Sequence, residues 1–215
     1  MRTKRSFPTF LLLLAAAVLP AAAQELKPVV LPKPETTGGK PLMQALAERR
    51  STREFSAQQL SPQVLSNLLW AAFGVNRPDG KRTAPSAINM QEIDIYVATA
   101  EGVYLYDAKA NLLRPVAAGD LRGVTGMQGF VKTAPLNLVY VADAARMGAG
   151  SESDKTFYSG LDTGFIAQNV YLFCASEGLV TVVRGMIDRP GLVKALNLRP
   201  EQRPIVAQTV GYPKK

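Results

Sequence analysis

Arg49-Arg50-Ser51-Thr52-Arg53-Glu54-Phe55, read together with Pro85-Ser86-Ala87-Ile88-Asn89-Met90-Gln91, carries most of the chemistry of this chain. The first stretch puts three cations and two hydroxyls between Arg49 and Arg53. If its backbone is extended, side chains alternate faces. Arg49, Ser51 and Arg53 then share one side, and Arg50 and Thr52 the other. Two guanidinium forks flanking a hydroxyl suit a phosphate monoester, because they offer charge-assisted N–H donors plus one O–H. The second stretch is a Pro-Ser turn followed by Asn89, whose amide can donate to and accept from a planar heterocycle. A solvated basic face and an ordinary turn would look the same one at a time. Their order, and the residues that follow, decide the reading.

The chain has 215 residues, enough for one domain with a real core, and 47% of them are hydrophobic, which argues against disorder. Residues 1–23 have the form of a secretory signal. Arg2, Lys4 and Arg5 precede the apolar run Phe10 to Leu19, then Pro20 and an Ala-x-Ala site ending at Ala23. The run is too short to span a membrane, which takes about 20 apolar residues. No stable membrane anchor is expected, and the mature chain is expected to be periplasmic or secreted. Thr3-Lys4-Arg5-Ser6-Phe7 also resembles the twin-arginine signal of folded-protein export, with lysine for the first arginine. The net charge is +8; without Arg2, Lys4 and Arg5, 22 basic residues face 17 acidic ones, a net +5. That suits an anionic cofactor or surface. No basic helix or aromatic–basic repeat points to nucleic acid.

The chain contains no histidine. This removes Ser-His and Cys-His catalysis, histidine metal sites and imidazole acid–base chemistry. The single cysteine, Cys174, sits in the apolar run Tyr171-Leu172-Phe173-Cys174-Ala175 and reads as a buried helical thiol. It can make no internal disulfide or Cys-based zinc site, and no metal is expected. No paired Asp/Glu motif stands out. An enzyme of this composition would borrow its reactivity from a cofactor.

Residues 24–40, with Pro28, Pro32, Pro34, Gly38 and Gly39, read as an extended tether. A helix is expected from Pro41 to about Glu48, delivering Arg49 to Arg53 at its end. Ser61-Pro62 should start a second, whose stripe Leu65, Leu68, Leu69, Ala72 and Phe73 ends at Gly74. Trp70 lies beside that stripe and reads as packing rather than a substrate platform. Ile93, Ile95 and Val97 alternate with other residues, and Glu101-Gly102 reads as a hairpin turn before Val103 and Leu105. Leu136 to Ala142 is a central strand, 144–156 a mobile loop, and about Phe157 to Glu177 a long helix ended by Gly178. Asp188 should cap a short helix to about Leu196, and Ile205 to Tyr212 is the last strand. The mixture lacks a regular βαβ alternation, which favours α+β.

In order, these motifs resemble the nitroreductase-like flavoprotein family. There, Arg-x-Ser-Thr-Arg/Lys-x-Phe holds the FMN phosphate, and Pro-Ser-Ser/Ala-x-Asn-x-Gln meets the flavin. Asp162-x-Gly164 with Gln168-Asn169 and Gly178-Leu179 looks like the family's long helix, and Val210-Gly211-Tyr212-Pro213-Lys214 like its terminal strand. Gly102 to Asp107, Leu112, Pro115 and Gly119 to Arg122 are closer to the SagB/ThcOx-type dehydrogenase branch. The resemblance runs from about Pro41 to Lys215, which sets the domain at 41–215. Two stretches depart from it. Glu92 stands where many relatives have proline, and Val180-Thr181-Val182-Val183-Arg184-Gly185 replaces a glycine-rich run.

The resemblance implies a dimeric α+β sandwich, a mainly antiparallel sheet with helices, holding FMN at the interface of a homodimer. It implies that Arg49, Ser51 and Arg53 meet the phosphate and that Arg50 reaches the ribityl chain or the flavin edge. Ser86 and Asn89 would contact the cofactor. Backbone of Arg184-Gly185 would approach flavin N5, with the Arg184 side chain either on an anionic substrate or a surface cation. Lys214 is either a further phosphate cation or part of a frayed tail. No residue need act as a nucleophile. Hydride would pass through N5 between a small-molecule electron donor and an acceptor, and no dinucleotide fingerprint is present. A flavin-binding module without turnover, and a phosphate-ligand binder unrelated to flavin, are the alternatives.

Overall fold

A computed structural model describes residues 25–214; the expected signal in residues 1–23 lies outside them. The elements run β1 (Val29–Val30), α1 (Leu42–Glu48), α2 (Pro62–Phe73), β2 (Ile93–Ala98), β3 (Gly102–Asp107), β4 (Leu112–Ala118), β5 (Leu136–Asp143), α3 (Glu152–Glu177), β6 (Val180–Arg184), α4 (Arg189–Ala195) and β7 (Gln202–Gly211). One seven-stranded sheet has the order β1-β4-β3-β2-β5-β7-β6, every neighbouring pair antiparallel. The expected α+β sandwich is the observed fold.

All eight residues of β5 are buried. Leu136, Leu138 and Tyr140 point into the core shared with α2 and α3, where Leu68, Leu69, Ile166 and Val170 meet them. Val139 and Val141 point the other way, towards Leu192 and Leu196 around α4. The run Leu136 to Ala142, apolar but for Asn137, is a strand covered on both faces. β2 is split likewise, Ile93, Ile95 and Val97 on one side and Tyr96 and Ala98 on the other.

The helix boundaries follow local chemistry. Ser61 Oγ accepts from Val64 N–H at the start of α2, and Pro62 occupies the first turn. Gly74 follows α2 where a Cβ would collide with Trp70. Gly178 ends α3 with φ 69°, a conformation glycine adopts without strain.

Three expectations are corrected. α3 begins at Glu152, not near Phe157, because Ser151 caps it by accepting from Asp154 N–H, and Glu152 and Asp154 sit in its first turn. Most of the stretch read as a mobile loop is therefore a 3-10 turn and helix. The tether is extended but tied down. Leu31 is in the core, β1 pairs with β4, and Pro32 O accepts from Ser66 Oγ and Asn111 Nδ2 at 2.5 and 2.7 Å. β4 and β6 were not read as strands. β4 carries Pro115, opposite Tyr104 beside a register shift that absorbs it.

Candidate functional site

α1 ends at Glu48, and Arg49 leaves it with extended φ and ψ (−57°, 124°). The chain then runs beside β6: Ser51 pairs with Thr181 in a parallel bridge, and Thr52 N–H donates to Thr181 O at 3.0 Å. Farther on, Phe55 pairs with Pro213, and Ser56 N–H donates to Tyr212 O. The last residues, Lys214 included, are thereby laid beside the basic stretch, and Phe55, Tyr212 and Lys214 line one recess.

Tyr171 of α3 organises the cations. The Arg49 guanidinium lies over its ring, 5.2 Å from the centroid. Its hydroxyl is 2.7 Å from Ser51 Oγ and accepts from Val183 N–H at 3.0 Å. Ser51 Oγ can then accept the tyrosine proton and keep its own hydrogen for a ligand. A cleft of about 580 Å³ opens here, lined by Lys40, Glu48, Arg49, Arg50, Thr52 and Tyr171 among others. The alternation expected of the stretch holds in part: Arg49 and Ser51 share Tyr171, yet Arg49, Arg50 and Thr52 line the cleft together. Arg53 is exposed and does not line it. Lys40 was missed as a lining cation, because it lies in the segment read as a tether.

The loop 85–91 is built differently. Ile88, Asn89 and Gln91 all have positive φ (44°, 59° and 50°). Such residues cost about 1–2 kcal/mol each, more for a β-branched one, and need outside support. Ser86 Oγ accepts from Gln91 N–H, and Asp162 Oδ2 accepts from Ala87 N–H, both at 2.9 Å. Arg146 donates to Gln91 O, and Arg82 to Gln91 Oε1. Asn89 is exposed, and its Oδ1 accepts from Gln91 Nε2. Ile88 is 93% exposed at the tip.

One chain does not bring these two regions to one side. The loop is held by Asp162 and the basic stretch by Tyr171, nine residues apart on α3. At about 3.6 residues per turn that is two and a half turns, roughly 14 Å, with the two side chains on opposite sides of the helix.

Arg184 ends β6 and its side chain is turned inward, 4% exposed. Neither reading of that side chain, on an anionic substrate or as a surface cation, is what the structure shows. Its Nε donates to Thr209 Oγ1, Nη1 to Thr125 O and Gln128 Oε1, and Nη2 to Asn137 Oδ1 and Thr125 Oγ1. Five acceptors use up its five N–H groups. Burial alone brings the guanidinium down to about 10. Gly126 lies so close that a Cβ there would collide with Arg184 Nη1. Next along the chain, Gly185 is exposed with open space at its Cβ position. Cys174 is a buried thiol pushed well up by burial. Among the described residues no group of acidic, histidine and cysteine side chains is arranged to hold a metal.

Solved structures share this architecture, and sequence relatives are found as well. Residues 46–212 match the model of the nitroreductase family. A protein described as a candidate nitroreductase from Methanocaldococcus jannaschii is 32% identical over 181 residues, covering 79% of this chain and 90% of its own. A crystal structure described in the same terms, from Ralstonia eutropha JMP134, is 44% identical and superimposes with TM-score 0.84 over 88% of this chain and 91% of that one. The McbBCD microcin synthetase complex of E. coli contains a chain with the same fold, TM-score 0.67 at 20% identity, covering 94% of this chain and 85% of that one. The family match takes in the whole basic stretch, the loop, α3 and β7, and so the chain belongs to the nitroreductase family of oxidoreductases.

Proposed function

We propose that this chain is an exported, FMN-dependent oxidoreductase that works as a homodimer. The observation that carries the reading is the cleft beside Tyr171, where Arg49, Arg50 and Thr52 converge, and where Lys40 is paired with Glu48 at 2.5 Å. A phosphate dianion placed there would gain charge-assisted bonds from forked donors. The donor set and the volume fit the phosphorylated end of FMN. Ser51, bonded to Tyr171, stands beside the cleft without lining it, and Arg53 and Lys214 are exposed cations outside its lining. Ser86 and Asn89 would meet the ring system, with Arg184-Gly185 backbone at its edge. When bound, FMN supplies the hydride-accepting N5 that no side chain here replaces. The chain's own residues bind it, orient it and leave its face open to a donor and an acceptor in turn.

The homodimer reading rests on two features. Basic stretch and loop lie on opposite sides of α3, so a site using both is completed by the loop of a second copy. On α3, Phe157, Leu161 and Phe165 form a stripe, 64%, 43% and 39% exposed, and α1 adds exposed Leu42, Met43 and Leu46. Apolar surface of this extent wants a partner. The alternative of a module without turnover came from Val182-Val183-Arg184 replacing small residues. Val182 and Arg184 are buried in the sheet and Val183 is half-buried; reduction and reoxidation of the bound flavin decide between the two readings.

An absorption spectrum of the purified protein, taken before and after anaerobic reduction, tests the reading. A bound flavin released as FMN, reduced by a donor and reoxidised by a nitroaromatic or quinone, is expected. A colourless protein that takes up no FMN would overturn it. Sedimentation of a flavin-loaded monomer at micromolar concentration would remove the dimer. For export, Lys4 and Arg5 are replaced by Gln with Arg2 kept, and processing is followed with each export system blocked. The folded route fails if processing stops only when the unfolded-chain translocase is blocked. The SagB-type assignment is tested by offering thiazoline- and oxazoline-containing peptides as hydride donors.

A further inference from the structure

Two carboxyl groups are buried together beneath the loop 85–91. Glu92 is 0% and Asp162 1% exposed, and Glu92 lies within hydrogen-bonding reach of Asp162. Neither carboxyl oxygen of Glu92 has a hydrogen-bond partner as placed, and nor does Asp162 Oδ1. The remaining oxygen, Asp162 Oδ2, accepts from Ala87 N–H. Ionised carboxylates are acceptors only, so two of them side by side leave buried lone pairs facing each other. Two adjacent buried negative charges are also costly. One proton on Glu92 removes both faults, since the acid O–H donates to Asp162 and the pair carries a single charge. Other charges facing the pair are few. Arg146, on the 3-10 turn after β5, acts on Glu92 from a distance and is engaged by Asp94 at 2.6 Å and Asp143 at 3.5 Å. Arg82 is spent on Gln91 Oε1 and Phe73 O.

We propose that Glu92 holds a proton shared with Asp162 and thereby positions the loop carrying Ser86 and Asn89, acting through the Asp162–Ala87 hydrogen bond. Glu92 is a positioning residue and touches no ligand. At position 92 this chain carries a titratable clamp. Burial first, and the neighbouring Asp162 charge after it, push the Glu92 carboxyl up to about 7; its own backbone amide and Arg146 pull the other way. The ordinary value is 4.5. Between the two values the folded chain binds more protons than the unfolded one, so stability falls as pH rises through that window. Above it, Glu92 is charged against Asp162 and the clamp loosens.

The test uses the full mature chain and Glu92→Gln, whose amide donates to Asp162 at every pH. Apoprotein unfolding and FMN affinity are measured at pH 6 and pH 8.5, and infrared spectra follow the protonated carboxyl band. The wild-type protein should lose stability and about tenfold in FMN affinity on going to pH 8.5, and its carboxyl band should titrate near 7. Glu92→Gln should match wild type at pH 6, keep that behaviour at pH 8.5 and lack the band. Asp162→Asn keeps an oxygen for Ala87 and removes the neighbouring charge, so its band should titrate lower; it serves if Glu92→Gln does not fold. Parallel pH dependence in wild type and Glu92→Gln, or no protonated carboxyl at pH 6, overturns the proposal. Its affinity arm rests on the FMN reading. A protein that binds no FMN at any pH defeats that reading and the loop's role in it, while unfolding and infrared still decide the shared proton.

Discussion

Arg184 and the Arg49–Arg53 stretch hold the same guanidinium chemistry in opposite settings. Arg50 and Arg53 are exposed, and Arg49 rests on the Tyr171 ring at a cleft. Arg184 is sealed inside, every N–H committed to Thr125, Gln128, Asn137 or Thr209. The first set can give its donors to a ligand, and Arg184 has none left to give. It instead ties the end of β6 to the segment Thr125–Gln128 and to β7. Met127 N–H then donates to Met186 O at 3.3 Å, which fixes the wall beside Gly185. Whether an arginine binds a ligand or builds the framework is decided by the acceptors that surround it.

Six substitutions at five positions test that contrast. Removing the caged cation should have the largest effect. Arg184→Ala leaves several buried acceptors unpaired and is expected to cost about 3–5 kcal/mol in urea unfolding. Arg184→Lys should recover only part, since an ammonium cannot span the same fork. A loss below about 1 kcal/mol would mean that the cage contributes little.

The exposed set should respond in the opposite way. Arg49→Ala and Arg50→Ala, both at the cleft, are each expected to weaken FMN binding by about one to two powers of ten, at roughly 1.5–3 kcal/mol per charge-assisted bond. Unfolding should move by about 1 kcal/mol at most. An unchanged FMN dissociation constant in both variants would remove the phosphate assignment. Gly126→Ala probes the cage without touching its charge. Its Cβ would meet Arg184 Nη1, and a melting curve should report about 1–2 kcal/mol of lost stability with FMN affinity changed less. At the small end, Arg114→Ala breaks the 2.5 Å pair with Asp107 at a position where Arg114 is 59% exposed. Solvent screening should hold the change below about 0.5 kcal/mol.

How much could be read in advance differed by element. Local signals placed α2 at Ser61-Pro62, ended α3 at Gly178 and capped α4 with Asp188, because a cap or a left-handed turn is chemistry between near neighbours. β5 was legible because a run apolar but for Asn137 has to be covered on both faces. β1, β4 and β6 were not. β1 is two residues long, β4 contains a proline, and β6 was read only for its missing glycines. Their pairing energy comes from partners far away in sequence. Lys40 and Tyr171 joined the site for the same reason, brought to Arg49 by the docking of the 24–40 segment and α3.

The sequence by itself determined the α+β class, the family and the clustering of cations at Arg49 to Arg53, since each rests on residue type and order over short spans. Tertiary structure decided the direction of Arg184, the pairing of Glu92 with Asp162, and the placement of basic stretch and loop on opposite sides of α3. Those depend on which groups meet after the sheet and helix have packed. A buried charge or carboxyl takes its character from neighbours dozens of residues away, as Thr125 is from Arg184 and Asp162 from Glu92.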